Sequence, residues 1–69
     1  MSGRDVRRLL EDHSLVFVRQ RGSPMIMQRR FPTTTNTVPV PDHRVLRIGT
    51  LMSIIRQCQL ARELFEKGH

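Results

Sequence analysis

The first apolar residues of the chain, Val6, Leu9 and Leu10, fall on one face of a helix, with His13 in phase behind them at i+7. Arg7, Arg8, Glu11 and Asp12 occupy the other side and are expected to look outward. Just upstream, Ser2-Gly3-Arg4-Asp5 reads as a capping box: the Ser2 hydroxyl takes an orphan amide, and Asp5 reaches back to the positive end of the helix dipole. The period then changes. Leu15 to Arg21 starts β-branched and aromatic and ends polar, which predicts a strand. A two-residue period puts Leu15, Phe17, Arg19 and Arg21 on one face. Gly22-Ser23 is a turn signal, and Met25 to Phe31 predicts the second strand of a hairpin. After a loop over Pro32 to Thr35, Asn36 to Val40 predicts a third strand. Pro39 and Pro41 cannot donate to a ladder, so this strand belongs at an edge. Asp42 to Ile48 is a connecting loop carrying Arg44 and Arg47. The helical period returns at Leu51, Ile54, Ile55 and Cys58, in a helix opening near Gly49-Thr50. Leu60, Leu64 and Phe65 predict a short extra helix closed by Gly68.

The pattern predicts an α+β fold of order α-β-β-β-α, a three-stranded antiparallel sheet with helices on one face and a short extra C-terminal helix. A length of 69 residues leaves room for a single domain, 1–69, with one thin core, and none for separate cofactor and substrate domains. This order of elements is that of double-stranded-RNA-binding domains.

Charge sharpens the picture. The chain carries 12 Lys+Arg against 6 Asp+Glu, a formal charge of +6, and Lys67 is its one lysine. Arginine pairs bidentately with phosphate and stacks on bases, so the bias points to phosphate contact. Both ends of the chain are charge-balanced; the excess lies in the middle, where Asp42 stands alone against the arginines from Arg19 to Arg56. A concentrated field of one sign is the footprint of a polyanion binder, with RNA as the expected partner; a solvated basic surface is the plain alternative. Arg19, Arg21, Arg29 and Arg30 are expected to cluster on the paired strands, where like charges cost stability unless a polyanion neutralises them. With Arg47 they form the expected RNA-contact set, and Ser23 either bonds phosphate from the turn or only shapes it.

Cys58 is the one cysteine, which excludes an intrachain disulfide and a cysteine-based zinc site; its place in an apolar run predicts a buried core thiol. Met25 and Met27 read as core or partner surface. No metal-ligand spacing, Walker or Rossmann pattern is present, so no metal and no small-molecule cofactor is expected. No signal segment or bilayer-length apolar stretch is seen, so a cytoplasmic protein without a membrane partner is expected.

Several blocks, in order, resemble the HicA (YcfA-like) toxin family: Val6-Arg7-Arg8-Leu9-Leu10, Phe17-Val18-Arg19-Gln20-Arg21-Gly22-Ser23, Thr37-Val38-Pro39-Val40-Pro41, and Ile48-Gly49-Thr50-Leu51 with Ser53-Ile54-Ile55-Arg56-Gln57. Arg19-Gln20-Arg21-Gly22-Ser23 and Ile48-Gly49-Thr50-Leu51 are the most specific pieces, and the resemblance runs from about Val6 to Phe65. It implies a metal-independent endoribonuclease that cuts mRNA, an mRNA interferase with a double-stranded-RNA-binding-like fold, covered by a HicB-like antitoxin. It also implies a catalytic histidine directly after the Gly-Ser of the hairpin turn, a residue type suited to proton exchange near neutral pH.

The chain departs from that pattern at one position, where Pro24 follows Gly22-Ser23. Proline moves no proton and fixes its own φ, so the resemblance implies an impaired or inactive nuclease that still binds RNA. The proline is either a detoxifying change or the mark of a natural non-catalytic binder. Of the other histidines, His13 is expected to cap or pack the first helix, and His69 is terminal. His43, on the basic loop, is the one substitute available; a loop residue near phosphate or antitoxin is the plainer reading. Two rivals remain open at this point: a non-catalytic RNA-binding module of the same fold, and an adaptor whose basic face meets only an acidic protein.

Overall fold

A computed structural model of the chain describes residues 1–66. Helix α1 (Gly3–Asp12) opens on the expected capping box. Ser2 Oγ accepts from the Asp5 N–H at 3.0 Å, and the Asp5 carboxylate accepts from the Ser2 N–H at 3.1 Å. The Ser2 backbone amide, and then its side chain, hold the Asp5 carboxyl below its ordinary value. His13 closes the helix: its N–H donates to Leu10 O at 3.0 Å and its Nδ1 lies 2.9 Å from Leu9 O. Ser14 then turns the chain through a left-handed φ of 76° into Leu15, which is buried.

Strands β1 (Val16–Gln20), β2 (Pro24–Arg30) and β3 (Thr35–Pro41) form an antiparallel sheet in the order β1-β2-β3. This leaves β3 at an edge, where the missing donors of Pro39 and Pro41 cost little. Met25, Met27, Val38 and Val40 point to one face and are buried there. Helix α1 covers that face with Val6 and Leu10, and α2 (Ile48–Cys58) with Ile54 and Cys58, while α3 (Glu63–Glu66) adds Phe65. Burying each of these larger apolar side chains contributes about 1.5–3 kcal/mol, which a domain this small needs from most of them. Among the described residues no helix lies on the other face: Ile26 and Gln28 are half-buried, and Thr37 and Pro39 are exposed. The layers and the order of elements are those the apolar pattern predicts. Cys58 is a buried thiol as expected, and burial pushes its pKa up.

Three expectations are corrected. The first strand does not keep a two-residue period. Phe17 pairs with Met27 but Arg19 pairs with Ile26, so Val18 is an extra residue in a bulge. Leu15 and Phe17 stay toward the core, while Arg19 turns to the helix-free face with Ile26; the bulge spares a guanidinium from burial. Arg21 lies beyond β1, in the turn. Next, Arg7 does not simply look outward. Its guanidinium lies 4.0 Å from the centre of the Phe17 ring and its Nε 3.4 Å from Glu11, so it lids the open end of the core. Last, β2 begins at Pro24 and ends before Phe31, while β3 reaches from Thr35 to Pro41, because the pairing continues through both prolines. The expected closing role of Gly68 and the terminal placement of His69 lie outside the described residues.

Candidate nucleic-acid interface

The hairpin turn between β1 and β2 is built by Gly22, whose φ of 59° suits a residue without a Cβ. The Gln20 side-chain amide braces it, donating to Gly22 O at 3.2 Å and to Asp42 Oδ2 at 3.1 Å. Asp42 sits just past β3, and its N–H donates to Ser23 O at 3.0 Å. The loop after β3 is thereby pinned against the turn. The same pinning brings His43 across: its Nε2 lies 3.1 Å from Ser23 Oγ, a hydrogen bond between two exposed side chains.

The loop is fixed from the other side by the N-terminus. His43 O accepts from the Gly3 N–H at 2.8 Å, and Met1 O accepts from the Leu46 N–H at 2.9 Å. Gly3 is buried in this contact. A Cβ there would overlap the Pro41 carbonyl oxygen and come within 3.2 Å of the His43 nitrogen. Arg4, on the next residue of α1, reaches Asp42 Oδ1 at 3.3 Å. The hydrogen bond from Gln20, and then that from Arg4, hold the Asp42 carboxyl below its ordinary value. Asp42 is thus an ionised hub joining the turn, the loop and the first helix.

Two surface cavities adjoin this hub. One of about 410 Å³ is lined by Ser2, Arg4, Asp42, His43 and Arg44. The other, of about 290 Å³, is lined by Arg4, Arg7, Arg8, Glu11, Gln20, Met25 and Asp42. Arg4 and Asp42 belong to both.

The structure separates the arginines expected to cluster. Arg19 is exposed on the helix-free face opposite Ile26, and Arg21 is exposed in the turn. Arg29 and Arg30 pair with Asn36 and Thr35, at the other end of β2. Ile26 and Arg29 are three residues apart, about 10 Å along the strand. The strain of like charges set side by side is therefore not built into this sheet. Arg29 is half-buried, on the same side of β2 as Met25 and Met27, with its guanidinium 5.0 Å from the centre of the Phe31 ring. Arg30 is exposed on the helix-free side. Arg47 is exposed at the start of α2, on the loop that carries His43. Pro24 is half-buried and pairs with Pro41. Of the residues singled out from sequence, the structure brings Ser23 and His43 together beside Pro24, with Arg21 in the same turn. Among the described residues, none of the arginines in the expected RNA-contact set makes an ion pair.

Arg4, Arg8, Gln20, Asp42 and Arg44 were missed as site residues. Two signals pointed to Arg4, Arg8 and Asp42. The capping box sets Arg4 and Arg8 one turn apart on an exposed helix face. Asp42 is the single acid within the arginine-rich middle, and a lone acid in such a field tends to be held by specific donors.

Among the described residues, no group of three or more His, Cys, Asp or Glu side chains is placed to hold a metal ion, and no helix is long and apolar enough to cross a membrane. Neither the curated proteins nor the solved structures give a match to this chain. A family model described as HicA toxin of bacterial toxin-antitoxin matches residues 3–60, a span that holds every element from α1 to α2, the turn and the His43 loop. With that match over most of its length, the chain belongs to the HicA toxin family and is the toxin side of a toxin–antitoxin pairing.

Proposed function

We propose that this toxin acts on RNA: it holds single-stranded mRNA by its phosphates on an mRNA interferase scaffold, and a HicB-like antitoxin covers the same basic surface. The observation that carries the reading is that Arg21, Arg44 and Arg47, exposed and without ion pairs among the described residues, lie on the turn and loop that hold a serine and a histidine 3.1 Å apart. Phosphate contacts of this kind make binding fall steeply with salt. Pro24 takes the place where the family resemblance puts a histidine, and it moves no proton, so cleavage is impaired relative to a chain with histidine there. That same residue favours the second reading, a toxin that binds RNA without cutting it.

The test is binding and cleavage of a single-stranded RNA in EDTA, by this chain and by Pro24→His, with and without the antitoxin. Salt-dependent binding by both, with faster cleavage by Pro24→His that the antitoxin stops, is the expected result. Binding without cleavage by either protein moves the assignment to the non-catalytic binder. Negligible RNA affinity at moderate salt, alongside tight antitoxin binding, sinks the RNA reading and leaves an adaptor.

A further inference from the structure

We infer that His43 is the proton-transfer residue of this toxin and that Ser23 holds its ring in the free protein. The inference rests on the RNA-cleavage reading above and goes beyond it, because it gives the chain a working acid–base group that does not come from the hairpin position occupied by Pro24.

Geometry comes first. The imidazole is exposed, so a substrate can reach it, yet its backbone is fixed on two sides. The His43 carbonyl is tied to Gly3, and the preceding residue, Asp42, is tied to Ser23. A catalytic group on a loop anchored in this way keeps its place when the substrate arrives. Ser23 Oγ shows that a hydroxyl oxygen fits at 3.1 Å from Nε2. A ribose 2′-hydroxyl is the same chemical group. It can take the place on Nε2 that Ser23 fills in the free protein, with Ser23 moving to a phosphate oxygen.

The surroundings suit a phosphodiester. The cavity beside the imidazole is lined by two arginines, Arg4 and Arg44, and its volume of about 410 Å³ accommodates a nucleotide sugar and phosphate. The Asp42 carboxylate is occupied by Gln20 and Arg4, so it holds Arg4 beside the cavity while the imidazole bonds only the displaceable hydroxyl of Ser23. Guanidinium groups beside the phosphate stabilise the charge that grows on its oxygens as the nucleophile attacks.

The step balances without a co-reactant. The Nε2 lone pair of neutral His43 takes the 2′-hydroxyl proton. The 2′-oxygen forms a bond to the adjacent phosphorus, and the bond from phosphorus to the 5′-oxygen breaks. The leaving 5′-oxygen takes that proton back from the imidazolium, directly or relayed through one water, which regenerates neutral His43. The products are a 2′,3′-cyclic phosphate and a 5′-hydroxyl.

The experiment compares this chain with His43→Gln, His43→Ala and Ser23→Ala, each purified in parallel, on a single-stranded RNA in EDTA. RNA affinity, cleavage rate and product ends are all read. His43→Gln is expected to bind RNA as before and to lose about 10²–10⁴-fold in cleavage. Free imidazole is expected to restore part of the activity of His43→Ala, which a purely structural role would not allow. Ser23→Ala is expected to lose less, roughly tenfold, since its hydroxyl orients the ring before the substrate arrives and then gives one hydrogen bond to a phosphate oxygen. A 2′-deoxy nucleotide at the scissile position should stop cleavage. If this chain binds RNA but does not cut it, or if His43→Gln cuts as fast, the inference is wrong while the RNA reading stands. If this chain does not bind RNA at low salt, the underlying reading itself fails.

Discussion

The two ends of the β1–β2 hairpin carry similar charge and differ in almost everything else. At the turn end, four segments converge: the start of α1, the end of β1, the turn, and the loop after β3. Gly3, Gln20, Ser23, Asp42 and His43 bond to one another there, mostly through backbone groups or through short side chains. At the other end, Arg29 and Arg30 stand on β2 with Phe31 and a threonine-rich loop; the Phe31 N–H donates to Thr34 O at 2.8 Å, Gln28 Nε2 to Thr37 Oγ1 at 3.4 Å and Asn36 Nδ2 to Gln57 O at 2.6 Å, and neither arginine takes part in these bonds. Fixed geometry is what proton transfer needs; charge alone is enough to hold a phosphate backbone. The hairpin thus separates a place for chemistry from a place for grip, although its sequence shows arginines at both ends.

The strongest way to break this arrangement is at Gly3. Replacing it with alanine drives a Cβ into the Pro41 carbonyl, and backbone cannot step aside as a flexible side chain can. Overpacking of this kind costs about 2–3 kcal/mol, and a domain of this size loses roughly 4–8 °C of melting temperature per kcal/mol. Gly3→Ala should melt 10 °C or more lower, by about the same measure. In whatever fraction stays folded, the Asp42–His43 loop should be displaced from Ser23. Thermal melting followed by circular dichroism, with amide exchange at Gly3 and Asp42, reads both. A melting point within a degree or two of the parent would mean that the helix start and the loop are not held as closely as described.

A smaller effect separates grip from chemistry. The double variants Arg19→Ala/Arg21→Ala and Arg29→Ala/Arg30→Ala remove two charges each from opposite ends. Each lost phosphate contact flattens the salt dependence by roughly 0.7 in log–log slope for a single strand. Both doubles should therefore weaken RNA binding, by about tenfold at moderate salt, and both should flatten the slope. Only the turn-end double should also slow cleavage under saturating RNA, because only it disturbs the substrate beside His43. Equal slowing by both would show that the two ends do not divide the work.

How much of this was legible in the sequence follows from where local rules decide structure. The capping box, the apolar faces of both main helices and the edge position of the proline strand are set by neighbours in sequence, and the fold follows them. Period-two reading of β1 failed at Val18 because a bulge is chosen by what must be kept out of the core, here Arg19, and its position is not set by strand propensity. The expected arginine cluster failed for a related reason: register, which the sequence pattern leaves open, put Arg19 and Arg29 three pairs apart. The site was half legible. Ser23 and His43 were both named, but their meeting depends on tertiary bonds, from Asp42 to Ser23, from Gln20 to Asp42 and from Gly3 to His43, and nothing local in the sequence announces them. Gly3 carried a second role the capping reading did not contain, since its closeness to Pro41 is a tertiary fact.

The mildest test acts on the hub. Asp42 lies below its ordinary carboxylate value of 3.8 because Gln20 and Arg4 hydrogen-bond its ionised form. A carboxyl with a lowered native pKa stabilises the fold above its unfolded value, and that contribution is lost as pH falls through the native one. Asp42→Asn keeps the shape and removes the charge, so it should be slightly less stable than the parent at neutral pH, with the gap closing on acidification below 3.8. The effect is small because the pair with Arg4 meets solvent. Asp5 shifts in the same direction but remains in both proteins, so it cancels from the difference. Urea midpoints at neutral pH and at about pH 2 measure the gap at its two limits. A gap that persists in acid would mean that the carboxylate charge contributes nothing and that the amide has disturbed the loop. In that case Asp42→Asn should slow cleavage as Ser23→Ala does, and the turn end would depend on the shape of the hub more than on its charge.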